Sequence, residues 1–472
     1  MNRLTSNSII LTFANIISLI IAFIIIVLLT RYLGVVDYGK YAFAKAFTGI
    51  FLYVADLGLN TLLIRDIAQN KNKASDYLGN VISLKIIISL FVIGIVYLII
   101  NKMNYPQTTI YIVYLATGII IMTSFSNIFR SIFIAFERMS YEGSFMIISE
   151  IILLIGLISC IVLKINLINI MITFLFAWIF FSLMLIYIVQ KRFVKFKISF
   201  NFTVCVFLFK NALPFALLGT LITLGTNIDS VMLSKFAGDS SVGIYNAASK
   251  LVAPLGFVSQ AIAVTIFPFI SNKWINNREE AVNAFRKSFK LLSIFGIPVA
   301  IIISILSNHI IHLFYGSQYS ESATILKVII WVAPFSYVTT LTGRVLSAIN
   351  KQSILVYITM VYIIVNIVLN IILIPKYGGI GAAITLVLTS GLNYFIQQYY
   401  INKFFDNKFS LKIYIELILY SLPVGAIIFL LEKINWWLSL GSGIMLFVVI
   451  IFISKIYTIK DLNFILARVN KE

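Results

Sequence analysis

Apolar residues run along this chain in long stretches, separated by short polar and mostly basic segments. The runs cover about 9–30, 41–63, 79–100, 109–134, 144–163, 167–189, 212–234, 244–270, 289–311, 323–348, 353–374, 380–401, 413–431 and 436–456. Each comes near the roughly 20 residues that an α-helix needs to cross about 30 Å of hydrocarbon. Backbone groups in lipid find no water, so runs of this length satisfy themselves as helices. The pattern predicts an all-α integral membrane protein of about fourteen transmembrane helices. No small-residue cleavage site follows the first run, so it is expected to remain as the first helix.

Loop charge then tests the count. With the N-terminus inside, the inner segments hold 23 Lys and Arg, including Arg65, Lys191, Lys273, Lys403 and the tail residues Lys455, Lys460, Arg468 and Lys471. The outer segments hold seven: Arg31, Lys40, Lys102, Lys164, Lys235, Lys376 and Lys433. A miscounted helix would scramble this alternation from that point on. The expectation is a multi-pass cell-membrane protein with N- and C-termini cytoplasmic. The same argument disposes of nucleic acid as a partner. A formal charge of +19 would suggest it in a soluble chain, but 61% hydrophobic and 11% charged residues describe a chain solvated by lipid.

A weak repeat divides the chain. Shifting by 204 residues aligns Arg31 with Lys235, Gly34 with Gly238, Gly39 with Gly243, Tyr41 with Tyr245 and Ala44 with Ala248. Two six-helix lobes in parallel orientation follow, 1–200 and 201–402, with two appended helices and a cytoplasmic tail in 403–472. A longer basic segment, about 190–211, is placed as the inter-lobe linker. Pro254 and Pro334 fall well inside predicted helices, where the missing donor and the ring favour a kink.

Charges inside the spans each ask for a reason, since one costs roughly 2.5–3.5 kcal/mol at the bilayer centre on insertion scales. Thr123, Asn127 and Arg130 share a face of the fourth helix, and Asn246, Lys250 and Gln260 one of the eighth. Tyr337, Thr340, Arg344 and Ser347 do so in the tenth, and Thr220, Thr223, Asn227, Ser230 and Ser234 form a stripe in the seventh. In the second helix Lys45 and Asp56 return to one face but stand roughly 16 Å apart, so each needs its own partner. Mid-span acids are limited to Asp56, Glu150 and Asp229. The sequence thus predicts a cationic, hydroxyl-rich cleft suited to an anionic, hydrogen-bonding head group such as a sugar phosphate. Its substrate-binding candidates are Arg130, Lys250, Arg344, Lys45, Asn127 and Asn246, with Asp56 and Asp229 as counter-ions or coupling groups. The plainer reading is a structural pair or an interfacial position for each charge, and it is the one taken for Lys85 and Lys327.

Nothing else points to chemistry. His309 and His312 lie three residues apart without a carboxylate nearby in sequence, so they are read as interfacial and no metal site is expected. Cys160 and Cys205 are read as packing residues. No phosphate-binding glycine loop, nucleophile elbow or dinucleotide fingerprint occurs, so no cofactor is expected.

Arg31-Tyr32-Leu33-Gly34-Val35-Val36-Asp37-Tyr38-Gly39-Lys40-Tyr41 resembles the opening signature of the polysaccharide-export flippases, which sit with the multidrug/oligosaccharidyl-lipid/polysaccharide exporters. Asp56-Leu57-Gly58-Leu59 is similar to that family's D-x-G segment, and Tyr377-Gly378-Gly379-Ile380-Gly381-Ala382-Ala383 to its GxxGAA entry to the twelfth helix. The resemblance implies a MATE-like, V-shaped, two-lobed bundle that flips undecaprenyl-pyrophosphate-linked oligosaccharide repeat units for surface polysaccharide such as O-antigen. It implies alternating access through a cationic central cavity. Its partners would be lipid-linked oligosaccharide, membrane lipid, H+ or Na+, and polysaccharide polymerase and chain-length machinery. The glycines of the first motif are read as allowing a tight turn between helices.

Two other functions compete. A drug or organic-cation antiporter of the same superfamily would want acids in its cavity, yet mid-span bases match or outnumber acids in both halves. A membrane glycosyltransferase or O-unit polymerase would need a long outer loop with carboxylates or arginines. The longest outer loop, about 312–322, holds Glu321 and no Lys or Arg, so an enzyme is not expected.

Overall fold

The computed structural model describes residues 3–405 and 411–453, and most of these are helical. The tail basic residues, Lys408 and the last residues of the fourteenth predicted span lie outside the described residues. Contacts between helices divide the chain into two units, Met1–Gly243 and Ile244–Glu472.

The first unit contains α1 (Arg3–Ile50), α2 (Leu52–Asp56), α3 (Leu59–Gln69), α4 (Ala74–Lys102), α5 (Gln107–Ala135), α6 (Met139–Val162), α7 (Leu167–Arg192) and α8 (Phe202–Val252) as far as Gly243. The second holds the end of α8, then α9 (Gly256–Asn276), α10 (Arg278–Tyr315), α11 (Ser320–Ile329), α12 (Val332–Ala348), α13 (Gln352–Phe405), α14 (Leu411–Glu432) and α15 (Trp436–Ile453).

The predicted spans fall largely on helix among the described residues. Among the described residues, eight helical stretches are long and apolar enough to cross a membrane, nine when a bent pair is taken as one span. Three of the stretches carry two predicted spans each, because α1, α8 and α13 run on through points where the sequence suggests a loop. Single glycines mark those points: Gly34 (φ 71°, ψ 179°), Gly238 (φ 79°, ψ 176°) and Gly378 (φ 53°, ψ −131°). A residue with a Cβ is strained there, so glycine is the residue for a break that costs one position. The outward surface inverts the soluble pattern. Phe91, Phe176, Leu183 and Met445 are exposed, as lipid-facing side chains should be.

Gly34 and Gly238 are repeat partners with nearly the same backbone angles. The predicted 204-residue repeat is therefore also a repeat of conformation. Gly39 and Gly243 are the next aligned pair, and they pack reciprocally. A Cβ on Gly39 would strike the Asp239 carbonyl, and one on Gly243 would strike the Val35 carbonyl. Each glycine meets the residue four positions before its own repeat partner. This corrects the reading of Gly39 as a turn residue: it sits within helix, and its missing Cβ lets two backbones touch.

The second predicted span is also corrected. It is not one helix, because Leu57 (φ 49°, ψ 21°) and Gly58 (φ 68°, ψ 8°) are both left-handed and separate α2 from α3. A leucine there costs about 1–2 kcal/mol, so the surroundings must hold it. The prolines differ from expectation too. Pro254 lies in a 3-10 turn, Ala253–Leu255, and Pro334 in the first turn of α12, following a 50° bend from Ser317–Ile329. Both mark helix starts, where proline's missing donor leaves no bond unmade.

The segment between α7 and α8 is pinned along α4. Ser75 donates to the Lys195 carbonyl at 2.7 Å, Ser83 to that of Ser199 at 2.8 Å, and the Asn201 N–H to Asn80 Oδ1 at 2.6 Å. In the second unit, Phe285, Phe289, Tyr337, Leu341, Tyr394 and Phe405 form the core among α9, α10, α12 and α13.

Candidate functional site

The broken helix carries the most enclosed charge. Lys85 of α4 is fully buried, and its Nζ donates to Asp56 Oδ1 at 2.8 Å and to the Ser124 carbonyl at 2.6 Å. Asp56 also accepts from Ser124 Oγ at 2.5 Å and from Asn60 Nδ2 at 2.9 Å. Three helices thus converge on the residue just before the left-handed Leu57. Asp56 pairs with Lys85 and with none of the cleft candidates. Lys85 forms the structural pair expected of it.

Arg130 of α5 is committed as well. Its Nε reaches the two Glu142 oxygens of α6 at 3.1 and 3.2 Å, and Nη2 donates to Glu142 Oε1. Nη1 approaches Asn127 Oδ1 at 3.4 Å. Two of the predicted substrate residues, Arg130 and Asn127, therefore meet each other and an acid that sequence reasoning left unassigned. Glu142 stands twelve positions from Arg130 across the turn between α5 and α6, a spacing no helical wheel connects.

Lys45 is placed differently. With Glu150 it lines a cavity of about 390 Å³ inside the first unit, together with Tyr41, Thr48, Thr123, Trp178, Thr223 and Asn227. The remaining lining is mostly apolar, including Ile25, Ile120, Leu153 and Phe174. Lys45 stands on α1 and Glu150 on α6. They interact electrostatically, and no ion pair joins them among the described residues. Lys45 also lies over the Tyr41 ring, 5.9 Å from its centroid. Asn227 Nδ2 donates to the Thr223 carbonyl at 2.8 Å, and its side chain lies beside Gly49. Thr223 and Asn227 belong to the polar stripe read from the seventh predicted helix, so that stripe faces a cavity over part of its length. Arg130 and Asn127 are not in the lining.

The other candidates lie elsewhere. Asp229 is buried in α8 within the first unit. Asn246, buried, and Lys250, half-buried, follow Gly243 on α8, in the second unit. Arg344 is exposed on α12 of that unit, with no carboxylate at ion-pair distance among the described residues. Near Arg344, Thr342 donates to Gln397, which donates to Asn393 at 2.9 Å.

One bland reading needs correction. His309 Nδ1 lies 3.2 Å from Glu432 Oε1, so the fold supplies the carboxylate that the local sequence lacks. Among the described residues no group of three metal-ligating side chains forms.

A family model described as Polysaccharide biosynthesis protein matches residues 4–274, more than half of the chain, and a MatE model matches 214–372. Among curated relatives, the chain is 27% identical over 233 residues to the "Probable low-salt glycan biosynthesis flippase Agl15" of Haloferax volcanii, covering 49% of this chain and 48% of that one. It therefore spans about half the length of that relative. It is 24% identical over 399 residues to the capsular polysaccharide biosynthesis protein CapF of Staphylococcus aureus, covering 83% of this chain and 98% of that one. Among solved structures, the lipid II flippase MurJ in an inward closed conformation superposes with a TM-score of 0.78 at 20% identity, covering 94% of this chain and 98% of that one. An inward-facing multidrug resistance MATE family transporter of the MOP superfamily gives a TM-score of 0.68 at 14% identity, over 82% and 94%. These two share the fold. Of these proteins, the Haloferax volcanii relative and MurJ are named as flippases and the MATE protein as a transporter.

Proposed function

The chain belongs to the polysaccharide biosynthesis protein family, and from that premise we propose that it flips undecaprenyl-pyrophosphate-linked oligosaccharide repeat units across the cell membrane. The observation that carries this reading is Lys45, a lysine opening into an apolar-walled cavity of a membrane protein with hydroxyls and an amide around it. A cation that forms no ion pair among the described residues is available to a phosphate, and Thr48, Thr123 and Asn227 offer hydrogen bonds to sugar hydroxyls. Lys250, Arg344 and Asn246 of the second unit complete the proposed substrate set, with Arg130 and Asn127 contributing where Glu142 leaves them donors.

The proposed mechanism is alternating access, with the repeat halves 1–200 and 201–402 rocking while the lipid tail stays in the bilayer. The excess of basic residues in the inner segments supports cytoplasmic termini. A proton or sodium gradient is the proposed drive, and polymerase and chain-length machinery the proposed next users of the flipped unit.

Glu150 in the same cavity favours a second reading, an organic-cation antiporter. One assay separates the two. Purified protein in vesicles is given lipid-linked oligosaccharide on one face, and its appearance on the other is followed. Wild type is expected to move it, and Lys45→Met to lose most of the rate while folding normally. Wild-type vesicles that move small organic cations but no lipid-linked sugar would sink the substrate assignment.

A further inference from the structure

The cavity lining holds one fixed cation, Lys45, and one carboxylate, Glu150, with Tyr41 as a further titratable group. Glu150 is half-buried, and no hydrogen bond to it is formed among the described residues. Lys45, on the same lining, and Arg130 act on it electrostatically. The elements packed on α6 are α1, α5 and α7. From α1 come Lys45 and Tyr41, from α5 comes Arg130, and the α7 lining residues carry no ionisable group. Glu142, on α6 itself, holds Arg130. Asp56, one of the two coupling candidates of the sequence, is closed off by Lys85, Ser124 and Asn60, and neither it nor the other, Asp229, is in the lining.

We propose that Glu150 is the proton-accepting group of this cavity, taking up a proton when an anionic pyrophosphate head group docks on Lys45. The proposal rests on the flippase reading above. Docking neutralises the one cation of the cavity lining and adds negative charge to the same apolar-walled space as Glu150. Both changes favour the protonated carboxyl, and Arg130 does not compensate because Glu142 already engages it. Coupling between two binding events is reciprocal. If the anion favours the proton, the proton favours the anion, so head-group affinity rises as pH falls through the titration of Glu150. The proton is thus co-bound with the cargo. Its role is charge compensation in a low-dielectric space, which is the opposite sign from an antiporter whose proton displaces its cargo.

The test uses the full chain in lipid nanodiscs with farnesyl pyrophosphate as the probe. Calorimetric titration in buffers of different ionisation enthalpy counts protons taken up on binding, from about pH 5 to about pH 8. Because the probe's own phosphates titrate in this range, the quantity read is wild type minus Glu150→Gln. Wild type is expected to take up as much as about one proton more than the variant, and its affinity to fall up to about tenfold more per pH unit. Glu150→Gln should bind the probe with the flatter pH profile, as tightly as protonated wild type. Binding by wild type with an uptake equal to the variant's, or with proton release, overturns the coupling and leaves the flippase reading standing. Should Glu150→Gln fail to fold, Glu150→Asp takes its place, with the pH midpoint of uptake expected to move; an unmoved midpoint also overturns the assignment. Failure of wild type to bind the probe at any pH overturns both readings.

Discussion

Lys85 and Lys45 both stand in the first unit with a carboxylate nearby, yet they are built to opposite ends. Lys85 has no exposure and spends two of its three donors on Asp56 and the Ser124 carbonyl. Asp56 in turn collects Ser124 and Asn60, so the whole cluster is closed. Lys45 faces open space, and Glu150 stands across it without contact. The first arrangement spends charge on shape, because it holds the residue next to a left-handed leucine. The second leaves charge unspent, and an unspent charge in an apolar wall is what a ligand can use. Residue type does not distinguish the two lysines; burial and an ion pair do.

Breaking the closed pair should have the largest effect on stability. Lys85→Ala strands a buried carboxylate, for an expected loss of about 3–5 kcal/mol. The double variant Lys85→Met with Asp56→Leu should recover much of it, since it removes both charges at once. Thermal unfolding in detergent reads both, and a double variant as unstable as the single one would show that the pair does more than satisfy itself. Arg130 is intermediate, a quarter exposed beside a nearly buried Glu142. Arg130→Ala is expected to cost about 1–3 kcal/mol, and Arg130→Lys less, because one donor survives while the fork is lost. Equal losses for the two would mean that charge contributes nothing there. Lys45→Met should be the mildest for stability, within about 0.5 kcal/mol, since no pair is broken. A large loss of melting temperature in Lys45→Met would erase the contrast with Lys85 and place Lys45 in the framework.

The two pairs also show which parts of the site were legible beforehand. Helix spans were, because a bilayer demands about twenty apolar residues in a row and tolerates few exceptions. The repeat was, through Gly34 and Gly238, because glycine is the one residue free to adopt the conformation both share. Lys45 was marked as a candidate by its charge, and Thr223 and Asn227 by their shared stripe. Glu150 was counted among mid-span acids but given no role, since nothing along α6 says which side chain it faces. Glu142 and Arg130 stand on different helices, and only the packing of α5 on α6 brings them together. Gly58 was the available signal for the break between α2 and α3, and it was read only as part of a motif.

The chain's own pattern determined the fold class and the spans, because lipid solvation and backbone satisfaction act on each segment separately, and its motifs carried the resemblance to the family. Which carboxylate each lysine meets was decided by the tertiary structure. Asp56 and Lys85 are 29 positions apart on different helices, and Arg130 and Glu142 face each other only because α5 and α6 pack together. An ion pair depends on a few ångströms between elements, and no period within one element records that distance.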